Sequence, residues 1–371
     1  MLQCYDCGKI YPGEKALWQC DCGSYLFYTA PKLKLNKEKI QEGPFSLWRY
    51  QEALPVSEEN RVTMGEGLTP LLPVTYEGRE VLLKLDFLQP TGSYKDRGTA
   101  VLVSKLKEWG VKRVVEDSSG NAGASMAAYC ARAGIECEIF VPAYTSAGKL
   151  VQIQYYGADM VKVPGTREDT TLAAIRRAEE VFYASHNWSP YFIEGTKTLA
   201  FELWEQLEWQ APDAVMVPVG NGSLVLGLYK GFSELKEMGH ITRLPRIIAV
   251  QSANCSPVYR AFHQGLDVVP AVEKQATLAE GIASAAPVKG AYILEAIRES
   301  RGTVVIVQEE EIKRALSELG RLGVFVEPTS ATVWAAWKFL QQQGDWSKGE
   351  KIILELTGSG LKATDKLLEL T

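Results

Sequence analysis

Short apolar runs alternate along this chain with longer stretches in which apolar residues recur every three or four positions. The short runs predict buried strands at 81–85, 111–115, 138–141, 160–163, 214–217, 247–250, 303–307 and 351–356. Helical spacing predicts helices over 101–106, 126–133, 146–156, 167–184 and 196–209. Alternation of this kind is typical of an α/β protein, in which parallel sheets are covered by helices on both faces.

Composition and charge narrow the classes of function. The chain has 371 residues, of which 46% are hydrophobic and 23% charged, which indicates a globular protein of roughly two domains. A net charge of −5 argues against binding to nucleic acid or to a membrane surface. No apolar run approaches the ~20 residues of a membrane span, and the N-terminus lacks the apolar segment of a signal peptide. We therefore expect a cytoplasmic protein with a small-molecule substrate.

Four of the seven cysteines fall within the first 22 residues, in two short knuckles that each end in glycine. These are Cys4, Cys7, Cys20 and Cys22. Without export disulfides are unfavoured, and four thiolates suit a tetrahedral structural zinc, so residues 1–30 are predicted to form a zinc-ribbon-like unit. The alternative is a set of ordinary reduced cysteines.

The segment 89–98, which reads Gln-Pro-Thr-Gly-Ser-Tyr-Lys-Asp-Arg-Gly, joins a predicted strand to a predicted helix. Ser93 is a suitable N-cap, and Asp96 could complete a capping box with it. Lys95 then lies in the first helical turn, where the helix dipole disfavours an added positive charge and so favours a neutral, nucleophilic amine. The alternative is a solvated surface lysine.

Three glycine-rich loops follow predicted strands, at the end of the sheet where ligands bind in such folds. They span 117–125, 218–224 and 356–360. In the second, Gly220-Asn221-Gly222-Ser223-Leu224 separates an apolar strand from a helix, so that backbone N–H groups and the helix dipole could hold an anion. The alternative for this loop alone is a tight turn without a ligand.

Taken together, the lysine segment and these loops resemble the fold-type II pyridoxal-phosphate enzymes, and within them most closely the threonine synthase family. The resemblance covers almost everything from 65 to 371. Its most specific motifs are Ser-x-Lys-Asp-Arg-Gly at 93–98 and Glu-Gly-x-Lys-Thr at 194–198. Archaeal-type members of this family often carry an N-terminal cysteine ribbon like this one.

The resemblance implies a two-domain fold of the tryptophan synthase β type. It implies a large domain that binds pyridoxal 5′-phosphate, made of 31–94 with 190–371, and a small mobile domain at 95–189. Members of the family usually form homodimers, so we expect one here. The implied reaction converts O-phosphohomoserine and water to threonine and phosphate.

The resemblance also assigns roles to individual residues. Lys95 would be the catalytic residue, holding the cofactor covalently and then carrying protons. The other cofactor-binding residues would be Asn121, Gly220, Asn221, Gly222, Ser223, Leu224 and Thr357. The substrate would be bound by Ser118, Ser119, Gly120, Asn187, Glu194 and Lys149, and a structural zinc by Cys4, Cys7, Cys20 and Cys22.

The chain departs from the family at two positions. Phe192 stands where threonine synthases commonly have an arginine that helps to hold the substrate phosphate, and Ala122 replaces a threonine. Two alternatives therefore stay open. One is a β-elimination or β-replacement enzyme acting on a less charged amino acid, similar to serine/threonine dehydratase or cysteate synthase. The other is a non-enzymatic protein that only binds the cofactor, against which Lys95 argues.

Overall fold

The computed structural model describes residues 1–29 and 33–370, apart from the side chain of Lys149. The chain forms two compact units. Unit 1 consists of residues 1–66 and 95–196, and unit 2 of residues 67–94 and 197–371. No helix in the described part of the chain is long and apolar enough to cross a membrane.

Strands and helices alternate through most of the chain. The strands are β1 (Leu2–Cys4), β2 (Ile10–Tyr11), β3 (Leu26–Tyr28), β4 (Leu71–Tyr76), β5 (Arg79–Lys84), β6 (Arg113–Glu116), β7 (Glu136–Pro142), β8 (Asp159–Val163), β9 (Phe182–Tyr183), β10 (Ala214–Pro218), β11 (Arg246–Ser252), β12 (Thr303–Val307) and β13 (Ile352–Glu355). The helices are α1 (Lys37–Glu42), α2 (Lys95–Glu108), α3 (Asn121–Ala133), α4 (Ala147–Tyr155), α5 (Arg167–Arg177), α6 (Pro190–Thr196), α7 (Thr198–Gln206), α8 (Ser223–Glu237), α9 (Pro257–His263), α10 (Gly290–Glu299), α11 (Glu309–Arg321), α12 (Pro328–Gln343) and α13 (Thr364–Leu368).

Unit 1 is built on a four-stranded sheet and a small ribbon. The sheet has the order β8-β7-β6-β9, and all its pairs are parallel. The ribbon is antiparallel, with the order β2-β1-β3. Segment 33–66 also belongs to unit 1, because Leu47, Trp48 and Val62 join the core that contains α2 and α3. This division differs from the predicted one, which placed 31–94 with the larger domain.

Unit 2 is built on a six-stranded mixed sheet with the order β12-β11-β10-β13-β5-β4. Only the edge strand β4 runs antiparallel among the described pairs of this sheet. Every residue of β10 and β13 is buried, as expected of central strands covered on both faces. The predicted mixed α/β architecture is thus confirmed.

One predicted helix is wrong in its second half. The pattern over 167–184 predicts a single helix, but α5 ends at Arg177 and Phe182–Tyr183 forms β9. Val114 and Val115 of β6 pair with these two residues, so the short apolar run completes the sheet of unit 1. A two-residue strand gives too weak a pattern to be separated from a preceding amphipathic helix.

Candidate active site

Lys95 is the first residue of α2, and its half-buried side chain lies beside an aromatic ring. The Nζ atom is 5.6 Å from the centroid of the Phe192 ring. That ring packs against Gly98, where an added Cβ would come within 2.6 Å of the ring carbons. Gly195 allows a similar approach, since its Cβ would lie 2.1 Å from the carbonyl oxygen of Arg97. The glycines of the two motifs thus let α2 and α6 pack closely enough to place Phe192 next to the amine.

The capping box predicted at the start of α2 does not form. The carboxylate of Asp96 accepts a hydrogen bond from the Ser125 hydroxyl, at 2.6 Å, and so joins α2 to α3. The Oγ atom of Ser93 is buried and has no hydrogen-bond partner among the described residues. Ser93 is therefore held in place without serving as the N-cap.

The loop before α3 is shaped by a contact that only glycine permits. A Cβ on Gly123 would lie 1.9 Å from the carbonyl oxygen of Ser118. Gly120 is the N-cap of α3, so Asn121 is the first helical residue and its side chain is not used as the cap. Ser118, Ser119 and Asn121 are half-buried, and Gly120 is exposed.

The remaining predicted substrate residues are spread over unit 1. Asn187 is half-buried in the connection between β9 and α6, and Glu194 is buried within α6. The side chain of Lys149 lies outside the described part of the structure. The structure thus places Asn187 and Glu194 around the same short helix that carries Phe192.

In unit 2, the predicted phosphate loop ends at the start of a 15-residue helix. Gly222, with a φ of 80°, is the N-cap of α8, and no side chain makes a capping hydrogen bond to the helix there. The first N–H groups of a helix have no partner within it, so those at the start of α8 can bind an anion. The hydroxyl of Tyr94 lies 2.9 Å from that of Ser223, and the side-chain oxygen of Asn221 accepts a hydrogen bond from Ser284.

Thr357 lies just after β13, and its side chain is paired with another hydroxyl. Its Oγ1 atom is 3.0 Å from Oγ of Ser330, which also accepts a hydrogen bond from the Gly358 amide at 2.9 Å. Both side chains are buried. Thr357 and Ser330 therefore offer neutral hydroxyl groups here, and the role of Thr357 at a ring nitrogen stays a prediction.

The four N-terminal cysteines form a compact group in unit 1. The Sγ atoms of Cys4 and Cys22 are 3.5 Å apart, those of Cys7 and Cys20 are 3.6 Å apart, and all four lie within 4.8 Å of one another. A tetrahedral site with Zn–S bonds of ~2.3 Å has sulfur atoms ~3.8 Å apart. The spacing therefore fits a zinc ion bound by four thiolates.

The surroundings of Cys20 favour the thiolate form that a metal needs. Hydrogen bonding by the backbone N–H of Cys22 is the main cause that lowers the pKa of Cys20 to about 6, and the Tyr11 hydroxyl adds to it. The Tyr11 oxygen lies 3.1 Å from the sulfur. Tyr11 thus supports the cysteine group from outside the ligand set.

Taken separately, each unit contains groups of the kinds that a pyridoxal phosphate cofactor needs. Unit 1 has the amine of Lys95, and unit 2 has the backbone N–H groups at the start of α8 and the neutral hydroxyl of Thr357. The buried Oγ of Ser93, two residues before the amine, lacks a protein partner among the described residues and could bond a polar ligand atom.

Sequence reasoning missed several contacts that the structure shows around the predicted site residues. Tyr94 touches the phosphate loop, Ser330 holds Thr357, and Glu116 bonds His186 beside Phe192. Tyr94 lies within the lysine motif, so its position next to the amine was a usable signal. The other contacts join segments far apart in sequence, and no local pattern could have found them.

Comparisons with known proteins agree with this set of groups. Residues 62–358 match the family described as "Pyridoxal-phosphate dependent enzyme". The chain belongs to the pyridoxal-phosphate-dependent enzyme family, and it is an enzyme of the lyase type.

Within that family the chain groups with threonine synthases. It is 38% identical to the threonine synthase of Methanocaldococcus jannaschii, over 98% of this chain and 94% of the relative. It is 35% identical to that of Methanosarcina acetivorans, over 99% and 93%. Among solved structures, the processed threonine deaminase isoform 2 of Solanum lycopersicum matches with a TM-score of 0.72 and 22% identity, over 92% of this chain and 90% of the other, which supports the fold.

Proposed function

We propose that this protein is a threonine synthase that converts O-phosphohomoserine and water to threonine and inorganic phosphate. The observation that carries this proposal is the 38% identity to a threonine synthase along 98% of the chain. Lys95 at the start of α2 supports it, because the motif that defines the family falls on a half-buried amine at a helix N-terminus.

Lys95 has two tasks in this proposal. Its Nζ atom would hold the cofactor covalently, and as a free amine it would take the proton from the substrate α-carbon. The Phe192 ring lies beside the amine, with its centroid 5.6 Å from Nζ.

The other cofactor-binding residues would orient the cofactor and set the electronic properties of its ring. Asn121 would donate to the ring oxygen, and residues 220–224 would bind the phosphate group through their backbone amides. The hydroxyl of Thr357, held by Ser330, would meet the ring nitrogen. When bound, pyridoxal phosphate supplies an electron sink for carbanion chemistry, and a neutral partner at its nitrogen favours elimination over transamination.

The substrate itself would be bound by unit 1 residues at the carboxyl end of the sheet. Backbone and hydroxyl groups of Ser118, Ser119 and Gly120 can hold a carboxylate at the start of α3. We also assign Asn187, Glu194 and Lys149 to substrate binding. Residues 95–189 would form the part that moves when substrate binds.

We further propose one structural zinc ion, bound by Cys4, Cys7, Cys20 and Cys22. A site closed by four thiolates has no open position, so this ion would stabilise the ribbon and take no part in the reaction. The protein would be a cytoplasmic homodimer. A metal assay and the molecular mass in solution test these two points.

A second function is favoured by Phe192. An uncharged ring beside the amine suits a serine/threonine dehydratase-like or cysteate-synthase-like enzyme that acts on a less charged amino acid. In that case serine or threonine would give a keto acid.

Incubation of the purified protein with O-phosphohomoserine distinguishes the two proposed functions. Release of threonine and phosphate in equal amounts supports a threonine synthase. An inert O-phosphohomoserine, with keto acid formed from serine or threonine, supports the second function.

A further inference from the structure

Tyr94, which directly precedes Lys95 and belongs to unit 2, contacts two of the segments that we assign to the cofactor. Its backbone N–H donates to the carbonyl oxygen of Thr357, at 2.9 Å. Its hydroxyl oxygen lies 2.9 Å from the hydroxyl oxygen of Ser223. Within unit 2, this tyrosine therefore connects the segment assigned to the ring nitrogen with the segment assigned to the phosphate.

The backbone around Tyr94 is held in register against the loop that follows β13. Ser93 forms an antiparallel bridge with Gly358, and the N–H of Ser359 donates to the carbonyl oxygen of Gly92 at 3.0 Å. Together with the hydrogen bond made by the N–H of Tyr94, these contacts fix the backbone of the tyrosine relative to β13. A tyrosine side chain has only two torsions, so a fixed backbone also places its hydroxyl well.

The partner of this hydroxyl lies at the start of the helix that follows the phosphate loop. Ser223 is the first residue of α8, and its side chain is buried. Gly222 before it has no side chain, so the hydroxyl of Ser223 is the side-chain donor nearest to the first N–H groups of the helix. The proton of a hydroxyl rotates to suit its partners, so a second hydroxyl that donates to Oγ of Ser223 determines where the serine proton points.

Tyr94 is suited to be the donor in this pair. A phenol O–H is a stronger donor than an alcohol O–H, and the alcohol oxygen is the better acceptor. Ser223 then accepts from Tyr94 and directs its own proton to another acceptor, for which a phosphate oxygen is suitable. Hydrogen bonds to an ionised acceptor are roughly twice as strong as those between neutral groups, so the direction of one such donor matters for binding.

Other contacts hold the phosphate loop independently of the two hydroxyls. Ser284 donates to the side-chain oxygen of Asn221. Gly220 packs on Ile282, where a Cβ added to the glycine would lie 3.0 Å from the Cα atom of Ile282. We therefore expect the loop to keep its shape when only the phenol oxygen of Tyr94 is removed.

We propose that Tyr94 is a positioning residue for the cofactor phosphate, which donates to the Ser223 hydroxyl and thereby directs the serine proton to a phosphate oxygen. The inference rests on the proposed function in that residues 220–224 bind the phosphate of the cofactor. It holds for any amino-acid substrate, because it concerns the cofactor alone.

The test compares the full-length protein with Tyr94→Phe, Ser223→Ala and the double variant. Tyr229→Phe is the matched control, because Tyr229 lies on α8, is half-buried like Tyr94, and donates its hydroxyl to Glu299. Absorbance titrations give the dissociation constants of pyridoxal phosphate and of pyridoxal, which lacks the phosphate group. Phosphorus NMR of the holoenzymes reports on the surroundings of the bound phosphate, and circular dichroism checks folding.

Tyr94→Phe should raise the dissociation constant of pyridoxal phosphate ~3- to 10-fold, as expected for one lost hydrogen bond, and leave that of pyridoxal unchanged. Ser223→Ala should raise the constant of pyridoxal phosphate ~10- to 100-fold, because a bond to an ionised group is lost. Adding Tyr94→Phe to Ser223→Ala should have no further effect, since the tyrosine acts through the serine. The phosphorus resonance should shift in Tyr94→Phe and stay unchanged in Tyr229→Phe.

An unchanged constant for pyridoxal phosphate in folded Tyr94→Phe overturns the proposal. Equal weakening of both ligands also overturns it, because that result indicates a general structural role. A full additional effect of Tyr94→Phe in the Ser223→Ala protein has the same consequence. If Tyr94→Phe does not fold, Ser223→Ala decides: weaker binding of pyridoxal phosphate alone supports the proposal, and unchanged binding overturns it.

Failure of the proposed function is recognised separately. A wild-type protein that binds pyridoxal phosphate but makes no threonine from O-phosphohomoserine contradicts the proposed function, and the comparison of cofactor affinities still decides this inference. Equal affinity of the wild-type protein for pyridoxal phosphate and pyridoxal would overturn the inference, since the phosphate group would then contribute nothing to binding.

Discussion

The hydroxyl oxygens of Thr357 and Ser330 lie 3.0 Å apart in the buried interior of unit 2. Thr357 follows the central strand β13, and Ser330 lies in the first turn of α12, so two elements fix the hydroxyl that we assign to the cofactor nitrogen. This contact leads to the first prediction.

Thr357→Ser keeps the hydroxyl, whereas Thr357→Val keeps the shape and loses it. We expect the serine variant to retain turnover within a few fold. The valine variant should lose ~3- to 10-fold in kcat or cofactor affinity, since a hydrogen bond of this kind contributes ~0.5–1.5 kcal/mol. Steady-state kinetics and cofactor titration measure this. Equal turnover of the two variants would contradict a role for the hydroxyl.

Lys95 should be the residue that carries the cofactor. Borohydride reduction of the yellow protein followed by peptide mass spectrometry should place the adduct on Lys95. Lys95→Ala should be folded and inactive, because the role of the amine is chemical. Lys107→Ala is the control, since Lys107 lies on the same helix and its Nζ bonds the backbone of Glu59 at 3.5 Å. An adduct on another lysine would refute the assignment.

Gly222 should be needed both for stability and for binding of the cofactor phosphate. An alanine there meets a φ of 80°, and its Cβ would come within 2.2 Å of Ile293. Gly239, at the other end of α8, has a φ of 77° and nothing within 4 Å of its Cβ, which makes Gly239→Ala the matched control.

Both substitutions should lower the free energy of unfolding by ~1 kcal/mol from backbone strain. Only Gly222→Ala should lower the free energy of unfolding by more than this and also weaken cofactor binding. Chemical denaturation and absorbance titration of the cofactor measure the two effects. Equal cofactor affinity in the two variants would contradict the binding of the cofactor phosphate by residues 220–224.

The zinc proposal predicts one metal ion per chain in freshly purified protein. Cys20→Ser should release it and lower the thermal stability of unit 1, because Cys20 is buried and its sulfur contacts the Tyr11 hydroxyl. Elemental analysis and a thiol titration measure this. Cys255→Ser, at a buried cysteine of unit 2, should leave the metal content unchanged. Metal-free protein with four titratable thiols in the ribbon would contradict the proposed zinc site.

Lys289 should make stability depend on pH in the alkaline range. Burial lowers the pKa of Lys289 from 10.5 to about 7, so between these values the unfolded chain binds a proton that the folded chain does not. Unfolding free energy should therefore rise with pH in this window, by ~1.4 kcal/mol per unit from this group.

Subtracting the profile of Lys289→Met isolates that contribution, since methionine has a similar length and no charge. Denaturant titrations at several values between pH 7.5 and pH 10 would measure it. Identical profiles for the two proteins would show that the buried amine keeps its proton.

The sequence was informative where a pattern is local and long. Strand β10 is a continuous apolar run, β11 contains one at 247–250, and the predicted phosphate loop follows β10 directly, so the α/β class could be predicted. The position of Lys95 at a helix start could be predicted from its own local motif.

Elements fixed by tertiary contacts could not be predicted. β9 has two residues and exists because it pairs with β6. Asp96 was expected to cap its own helix, but Ser125 of α3 reaches it instead. The pair of Glu116 and His186 joins residues 70 positions apart, so its geometry depends on the sheet.

The most direct test of the proposed function is the reaction of purified holoenzyme with O-phosphohomoserine. Threonine and inorganic phosphate should appear in equal amounts, and both should be absent with Lys95→Ala. Absence of threonine, together with formation of a keto acid from serine or threonine by the same protein, would contradict it.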